Sequence, residues 1–234
     1  MPFHILPTSQ FLLDNAPMIA AIDPDQHAIP YTADKWAQYF QGEPYWQDIQ
    51  QNHPLQITRG DLRVMAQALL QPFQINGIYE LFLGSMIWGY GTVGYGPYRT
   101  SLMFQTQGLN QTLTAICDLL SHGQFLDAYR RSDIDFCGPA FFTKFFYFFG
   151  LGVQGAQDAL ILDSVIAKRF EETLQVPIAQ FAKVARNPNT GRISAIQRFP
   201  EGYVCYLRNM QSWAQQLHVR ADAIELFLFG LEDE

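Results

Sequence analysis

The stretch Cys137-Gly-Pro-Ala-Phe-Phe-Thr-Lys-Phe-Phe-Tyr-Phe-Phe-Gly150 gives the strongest structural signal in this 234-residue chain. Proline is favoured in the first turn of a helix, so Gly138-Pro139 predicts a helix start. Thr143, Lys144 and Tyr147 fall on one side of that helix at about 100° per residue. The opposite, broader face carries Phe141, Phe142, Phe145, Phe146, Phe148 and Phe149. The pattern predicts a helix that buries an aromatic face and carries a single lysine.

Lys144 is a candidate nucleophile. Aromatic carbon around it would partly desolvate the ammonium group, which favours the neutral amine that attacks an electrophilic carbon. The preceding residues, Ile134 to Cys137, are predicted to form a second helical segment that ends at Gly138-Pro139. A lysine on the polar side of a helix is more often simply solvated. The order helix, tight turn, helix and lysine favours catalysis over that alternative.

Asp163 lies nineteen positions beyond Lys144, after the apolar run Ala159 to Leu162 and before Ser-Val-Ile-Ala-Lys168. This position predicts the N-cap of a new helix, where amide groups and the helix dipole stabilise a carboxylate. Such a carboxylate could stabilise a nearby developing cation or accept a proton from the lysine. The alternative is a plain capping residue.

The segment Gly138 to Lys144, followed by Asp163, resembles the signature of the helix-hairpin-helix DNA glycosylases. Within that family it resembles the 8-oxoguanine DNA glycosylases and their bacterial glycosylase-like relatives. The family hairpin reads approximately Leu-Pro-Gly-Val-Gly-Thr-Lys, and its proline, threonine, lysine and later aspartate recur here at the same spacing. The specific resemblance covers about residues 134–170.

Three positions depart from the family pattern. Ala140 and Phe142 replace the two glycines whose amides meet a DNA phosphate in the family. Val165 stands where many relatives have histidine. These differences bear on how the hairpin would hold the DNA backbone, and they leave the lysine and the aspartate in place.

The resemblance implies a mainly α fold, a helix-hairpin-helix DNA glycosylase-like helical bundle built as one bundle or as two packed helical lobes. It implies a DNA glycosylase with AP lyase activity that excises an oxidised purine, 8-oxoguanine, from double-stranded DNA. Lys144 would attack the sugar C1′ as the base leaves, and the resulting imine would permit β-elimination. Asp163 would stabilise the oxocarbenium-like transition state, and Gly138 and Thr143 would contact DNA. The base would have to leave the duplex first.

Helix caps and breakers predict further helices over residues 33–41, 58–71, 78–88, 110–122, 164–175, 177–185, 202–217 and 221–229. Residues 1–30 are rich in proline and lack periodicity, so they are predicted to form an extended N-terminal arm. Residues 31–234 are predicted to form a single helical domain with the helix-hairpin-helix at about 130–170.

An aromatic, glycine-rich stretch runs from Trp88 to Tyr98 and contains a formal G-x-G-x-x-G match. It follows a helical pattern rather than a strand, which argues against a dinucleotide site. Its aromatics Trp88, Tyr90, Tyr95 and Tyr98 could stack on an extruded base or wedge into the duplex, and Trp88 and Tyr90 are the base-pocket candidates. A plain surface Ω-loop is the open alternative.

Two further groups of residues could serve a DNA substrate. Arg186, Arg192 and Arg198 surround a predicted turn and would suit phosphate contacts, or they simply keep a surface turn solvated. In the last third of the chain, aromatic residues at helical spacing are more often core than pocket. The family resemblance points to Gln211 and Trp213 there as base-pocket residues.

Composition limits the classes of function. A net charge of −7 argues against a general nucleic-acid coat, because phosphate contacts need lysine and arginine. Residues 130–220, however, contain eleven basic and seven acidic residues, against four basic and fifteen acidic elsewhere. The three cysteines lack metal-ligand or iron–sulfur spacing, so no metal or cofactor is expected. Without a signal-peptide pattern or a membrane span, we expect a soluble, intracellular, cytoplasmic protein.

Three hypotheses remain open from the sequence. The first is a lysine-dependent DNA glycosylase and lyase. The second is a catalytically silent DNA-binding or damage-sensing helical module, which would bind damaged DNA without Lys144. The third is a helical protein-interaction subunit with a protein partner that the sequence does not identify.

Overall fold

The computed structural model describes residues 4–70 and 72–231, and this part of the chain contains thirteen α-helices and four short strands. The predicted mainly α fold is confirmed. The chain divides into two compact units. The central unit comprises residues 25–159, and the flanking unit comprises the chain before residue 25 and from residue 160 onward.

In chain order the helices are α1 (Gln10–Asp14), α2 (Ala16–Ala20), α3 (Ala33–Phe40), α4 (Pro44–Asn52), α5 (Arg59–Gln67), α6 (Ile75–Tyr90), α7 (Gly96–Phe104), α8 (Leu109–Ser121), α9 (Phe125–Arg131), α10 (Pro139–Gly152), α11 (Ser164–Glu172), α12 (Pro200–Leu217) and α13 (Ala221–Phe229). Short 3-10 helices occur at Pro24–Gln26 and Ile178–Gln180. Two antiparallel pairs form from the strands β1 (Ala28–Pro30), β2 (Gln56–Thr58), β3 (Lys183–Arg186) and β4 (Ile193–Gln197).

Helix α10 is the central helix of the central unit. It packs against α5 and α6 as well as α8. The stripe opposite its phenylalanines is therefore buried too, so that Thr143, Lys144 and Tyr147 retain at most 6% of their accessible surface. A helix that is covered all round in this way is an interior helix rather than an amphipathic surface helix.

The connector before α10 differs from the prediction. Residues 134–137 form a turn instead of a helix, because α9 ends at Arg131 and Phe136 adopts a left-handed φ of 62°. A residue before proline also avoids the helical region, and Gly138 is extended with ψ of 174°. The predicted helix over Ile134 to Cys137 is wrong, while α9, the connector 132–138 and α10 still follow one another closely.

Thr58 caps α5 as predicted. Its hydroxyl accepts from the Asp61 amide at 2.9 Å, and the Asp61 carboxylate accepts from the Thr58 amide at 2.8 Å, which completes a capping box. The helix ends at Gln67, four residues before the predicted end, which falls on residue 71 outside the described residues. Helices α4, α7 and α9 were not among the predicted helices.

The predicted helix over residues 177–185 is wrong. The chain forms one 3-10 turn there and then strand β3, which pairs with β4. The turn between the strands, Asn187-Pro-Asn-Thr-Gly191, ends in a glycine with φ of 69°. Turn residues of this kind favour a hairpin, and hairpin pairing overrides the helical propensity of the flanking residues.

The N-terminal stretch is held against α12 within the flanking unit. Asn209 accepts a hydrogen bond from the Leu6 amide at 2.7 Å, and the Trp213 indole donates to the Leu6 carbonyl at 3.0 Å. Residues 10–20 of the predicted extended arm form α1 and α2. Residues 1–3 of that arm lie outside the described residues, and its separation from a single domain at residue 30 stays a prediction.

Across residues 4–70 and 72–231, no helix combines the length and the apolar character needed to cross a bilayer.

Candidate active site

Lys144 lies in the second turn of α10 and keeps 6% of its accessible surface. Its Nζ donates a hydrogen bond to the Ala140 carbonyl at 3.0 Å. The same atom lies 5.6 Å from the centre of the Phe141 ring, within the range of a cation–π contact. Helical side chains point back toward the N-terminus, so the amine lies over the first turn of α10.

Gly89 of α6 lies beside the stem of this lysine. A methyl group on Gly89 would be 2.9 Å from Lys144 Cδ and 3.2 Å from Phe141 Cε1. On the other side, the Tyr90 ring stacks on the Phe141 ring with centres 4.1 Å apart and planes at 25°. The lysine stem thus lies beside Gly89 of α6, and the Phe141 ring near its amine is packed against Tyr90 of the same helix.

The predicted loop from Trp88 to Tyr98 begins later than expected. Trp88 and Tyr90 belong to the last turn of α6, and α7 starts at Gly96. The intervening loop begins at Gly91, whose φ of 54° and ψ of −122° are accessible to glycine alone. The loop interpretation of the two aromatics is therefore wrong, because α6 continues past them.

Both of these candidate pocket residues are buried, with 4% exposure each. The Trp88 ring makes edge contacts with His27 and Phe148, with centres 5.3 and 5.1 Å apart. The Tyr90 hydroxyl has no hydrogen-bond partner among the described residues, and burial raises the pKa of this phenol. The structure places both side chains in the core of the central unit.

Gly138 and Thr143, the two candidate DNA contacts in the predicted helix-hairpin-helix segment, have different surroundings. Gly138 is the N-cap of α10, and its carbonyl accepts from the amides of Phe141 and Phe142 at 2.9 and 3.1 Å. A methyl group on Gly138 would meet nothing within 4 Å, so the backbone here is open. Thr143 is fully buried, and its hydroxyl donates to the Pro139 carbonyl at 2.8 Å.

Asp163 caps α11, as predicted. Its Oδ1 accepts from the amides of Val165 and Ile166 at 3.0 and 3.1 Å, and the side chain is 8% exposed. These two amides and the helix dipole orient the carboxylate. Asp163 belongs to the flanking unit, whereas Lys144 belongs to the central unit.

Two tyrosines of α12 hold the segment that leads into Asp163. The Tyr203 hydroxyl donates to the Leu160 carbonyl at 2.9 Å, and the Tyr206 hydroxyl donates to the Ile161 carbonyl at 2.7 Å. Both tyrosines are fully buried. The sequence indicated a helical aromatic stripe here but did not show which backbone groups its hydroxyls would bind.

The two base-pocket candidates on α12, Trp213 and Gln211, differ in burial. Trp213 is fully buried, with its indole bonded to Leu6 and its ring 5.5 Å from that of Phe170. It is a core residue of the flanking unit. Gln211 is partly exposed on the same helix.

The three candidate arginines lie on or beside the β3–β4 hairpin. Arg186 makes two hydrogen bonds to the Glu171 carboxylate, at 2.9 and 2.6 Å, and these hydrogen bonds lower the pKa of that carboxyl. Arg192 is exposed, and its guanidinium makes no hydrogen bond or ion pair with the described residues. Arg198 is exposed next to the end of β4.

Sequence reasoning missed Arg59, the fully buried first residue of α5. Its guanidinium lies 5.1 Å from the Trp88 ring centre and 4.9 Å from that of Tyr147, and its Nη1 donates to the Tyr147 hydroxyl at 3.1 Å. An arginine just after a capping threonine is typical of a solvated helix start, so no signal in the sequence marked it.

Comparison with known proteins gives a family match. The family model described as "Putative 8-oxoguanine DNA glycosylase OGG-like protein" matches residues 22–229. No curated protein matches the chain, and no solved structure matches it. The matched residues include the whole central unit, the α10 lysine and the α11 capping aspartate.

Proposed function

Because the chain belongs to the OGG-like 8-oxoguanine DNA glycosylase family, we propose that it excises 8-oxoguanine from double-stranded DNA through a covalent imine on Lys144. The observation that carries this proposal is the placement of the Lys144 amine, which lies at the Ala140 carbonyl and near the Phe141 ring in a buried, largely aromatic helix. A fixed amine reduces the entropy that must be lost before it meets a sugar carbon.

The proposed reaction has two bond-breaking stages. The Lys144 amine attacks C1′ of the damaged nucleotide, the bond from C1′ to the base breaks, and the departing base takes the electron pair and a proton. The C1′–O4′ bond then breaks, O4′ takes the remaining amine proton, and an imine forms between Nζ and C1′. Loss of a proton from C2′ expels the 3′ phosphate oxygen and nicks the strand. Covalent catalysis of this kind divides one difficult displacement into easier steps.

Asp163 is proposed to act on the charge that develops in the first stage. As the base leaves, positive charge grows on the sugar, and an oriented carboxylate stabilises it. The two amides that bind Oδ1 fix the orientation of the group before the substrate arrives. Asp163→Asn keeps these acceptor contacts and removes the charge, so it should slow base release while leaving DNA binding intact.

The proposed DNA contacts follow from exposure. Gly138 offers open backbone at the start of α10, and the side chains of Arg192, in the turn between β3 and β4, and of Arg198, just after β4, are exposed. Arg186 contributes less in this proposal, because Glu171 already neutralises it. Thr143 supports the first turn of α10 from inside rather than binding a phosphate.

The four base-pocket candidates have different proposed roles, because they differ in exposure. Gln211 is partly exposed and is the proposed hydrogen-bonding residue for the base edge. Trp88, Tyr90 and Trp213 are buried, so they are proposed to support neighbouring residues instead of stacking on the base.

Borohydride trapping tests the proposal. Purified protein is incubated with a duplex that carries one 8-oxoguanine, and sodium borohydride is added to reduce any imine to a stable amine. We expect an adduct on the damaged duplex, none on an undamaged duplex, and none from folded Lys144→Gln. Lys168→Gln removes a lysine of α11 that pairs with Glu172 and should trap like the unaltered protein.

The trapped residue identifies the mechanism. Peptide mass spectrometry of the adduct should place the reduced sugar on Lys144. The folded protein could instead bind the damaged duplex without forming an adduct, and Lys144→Gln could bind it equally well. That result would contradict the enzyme proposal and support the damage-sensing module. An adduct on another lysine would remove Lys144 from the mechanism.

A further inference from the structure

We propose that Gly89 is a positioning residue for Lys144, a role that rests on the proposed lysine chemistry. The absence of a side chain at Gly89 lets α6 approach α10 so closely that the lysine stem and the Phe141 ring both lie against the α6 backbone. The glycine thus determines where the amine is held, although it would touch neither DNA nor the reacting atoms.

The space beside Gly89 is too small for a side chain. A Cβ atom on Gly89 would lie 2.9 Å from Lys144 Cδ and 3.2 and 3.3 Å from two carbons of the Phe141 ring. Carbon atoms in contact are normally about 3.5–4.0 Å apart. The space beside the stem is therefore smaller than a methyl group, and alanine would displace the lysine, the ring or both.

The ring has little freedom to move away. Tyr90, the next residue of α6, stacks on Phe141 with ring centres 4.1 Å apart, and Tyr95 packs against Tyr90 at 5.8 Å. At its other end the stem is fixed by the hydrogen bond from Nζ to the Ala140 carbonyl. A methyl group at Gly89 therefore acts mainly on Cδ, and the amine moves with it.

Glycine at this position is also unfavourable for the helix itself. It lies in the last turn of the 16-residue helix α6, where alanine would be the better helix former. Close packing against α10 accounts for glycine here, and the atoms in that contact belong to the lysine and to the ring beneath it.

Gly89→Ala is the direct test, and Gly84→Ala is its matched control. Gly84 lies on the same helix, and a methyl group there would be 2.7 Å from Leu62 Cδ2, with Met65 and Ile57 as its other neighbours. Both variants add one methyl group to the buried side of α6, against the Lys144 stem and the Phe141 ring at position 89 and against the end of the Leu62 side chain at position 84. Only the change at Gly89 meets the lysine.

Two readouts separate positioning from stability. The first is the single-turnover rate of borohydride-trapped adduct on the 8-oxoguanine duplex, measured beside the Kd for that duplex. The second needs no DNA: it is the rate at which formaldehyde and cyanoborohydride methylate Lys144, followed by peptide mass spectrometry. Thermal unfolding of both variants measures how much each methyl group changes the stability of the protein.

A displacement of about 1 Å commonly slows an enzyme about 100-fold, so we expect Gly89→Ala to trap about 10- to 100-fold more slowly. Its Kd should stay within about twofold of the unaltered protein, and its Lys144 methylation rate should change by severalfold. Gly84→Ala should keep both rates within about twofold, even if its thermal stability changes as much.

The contact at Gly89 can also be tested by changing Phe141. Phe141→Leu removes part of the ring, so it should slow trapping alone and relieve the effect of Gly89→Ala in the double variant. Such coupling is expected for residues that share one contact and not for independent sites. If Gly89→Ala does not fold, Phe141→Leu compared with the unaltered protein measures the loss of the same contact.

The outcomes distinguish this inference from the proposed function. If the unaltered protein traps DNA and Gly89→Ala traps equally fast, or if Gly84→Ala slows to the same degree, Gly89 has no positioning role. If the unaltered protein traps nothing, the glycosylase and lyase proposal fails. The methylation rates then still decide whether Gly89 places the lysine.

Discussion

Arg59 has no exposed surface, and its guanidinium lies between the rings of Trp88 and Tyr147. A buried cation is costly unless its surroundings compensate, and two aromatic faces and a phenol acceptor contribute to that compensation here. The same charge acts on His27, which packs edge-on against Trp88. Burial first, and then repulsion by Arg59, lower the pKa of His27 from 6.5 to about 4.

This depressed pKa predicts a loss of stability in acid. In the unfolded chain His27 takes up a proton near pH 6.5, whereas the folded protein takes it up only near pH 4. The unfolded state therefore binds more protons between these values, and the stabilising effect present above pH 6.5 disappears as the pH falls toward 4. We expect about 1–2 kcal/mol to be lost between pH 7 and pH 5, with allowance for partial exposure of the ring.

Urea unfolding at pH 7, 6 and 5 checks this expectation, with His27→Gln as the comparison. The variant cannot take up the proton, so its free energy of unfolding should fall less over the same interval. His122→Gln serves as the control, because His122 lies on the surface beside Asp118. Equal pH dependence in the unaltered protein and His27→Gln would remove His27 as the cause.

At the scale of elements, the connector between α9 and α10 stores strain. Phe136 has a φ of 62° and 53% exposure, and its carbonyl accepts from Arg99 Nε at 3.0 Å. Left-handed backbone costs a residue with a Cβ roughly 1–2 kcal/mol, whereas glycine adopts it freely. Phe136→Gly should therefore raise the free energy of unfolding by about 0.5–1 kcal/mol, after the added entropy of the unfolded chain is counted.

Phe136→Ala provides the comparison for that measurement. Alanine removes the same exposed ring but keeps the Cβ that causes the strain, so it should leave the urea midpoint nearly unchanged. A midpoint for Phe136→Gly that is no higher than that for Phe136→Ala would show that the backbone conformation carries little strain.

The segment in front of α11 depends on the tyrosines of α12. Tyr206→Phe removes the hydroxyl that donates to the Ile161 carbonyl at 2.7 Å and leaves a buried acceptor without that donor. We expect a loss of about 1–3 kcal/mol in urea unfolding. Because Asp163 lies two residues after Ile161, the single-turnover rate on an 8-oxoguanine duplex should fall as well.

Exposed Tyr39→Phe is the control for the loss of a hydroxyl group, and it should change neither quantity appreciably. A Tyr206→Phe protein that loses stability but keeps the full rate would separate the anchoring of this segment from the proposed chemistry.

The parts of the site that the sequence predicted are those with local causes. The helix caps at Thr58 and Asp163 follow from residues within a few positions of each other. The spacing of Lys144 and Asp163 was also readable. The helix predicted over 134–137 is wrong because Phe136 has a left-handed backbone. The helix predicted over 177–185 is wrong because β3 pairs with β4.

Nothing local could predict the contacts between distant helices. The approach of Gly89 to Lys144 joins residues that are 55 positions apart, and Arg59 meets Tyr147 at 88 positions. Burial of the lysine side of α10 depends on α5 and α6 covering it, which the helical period of α10 alone does not reveal. These contacts distinguish a buried catalytic candidate from a solvated lysine.

At the scale of the whole molecule, an acidic chain is proposed to bind a polyanion. The net charge of −7 contrasts with the excess of basic residues between 130 and 220. Binding of DNA by such a protein has to use few phosphate contacts, and each contact then contributes visibly to the salt dependence. Among the hairpin arginines, Arg192 has no ion-pair partner in the described part of the chain, whereas Arg186 is bound to Glu171.

Arg192→Gln should therefore weaken binding of the duplex and reduce the slope of log Kd against log salt by about one, as expected for one lost phosphate contact. Arg186→Gln should change that slope less, because Glu171 already neutralises the charge that it removes. Fluorescence anisotropy between 50 and 200 mM salt, roughly the range in which such slopes are measured, compares the two variants directly. The effect should be the same on damaged and undamaged duplexes, since a phosphate contact carries no information about the base. Equal slopes for Arg192→Gln and the unaltered protein would move the DNA-binding surface away from the hairpin.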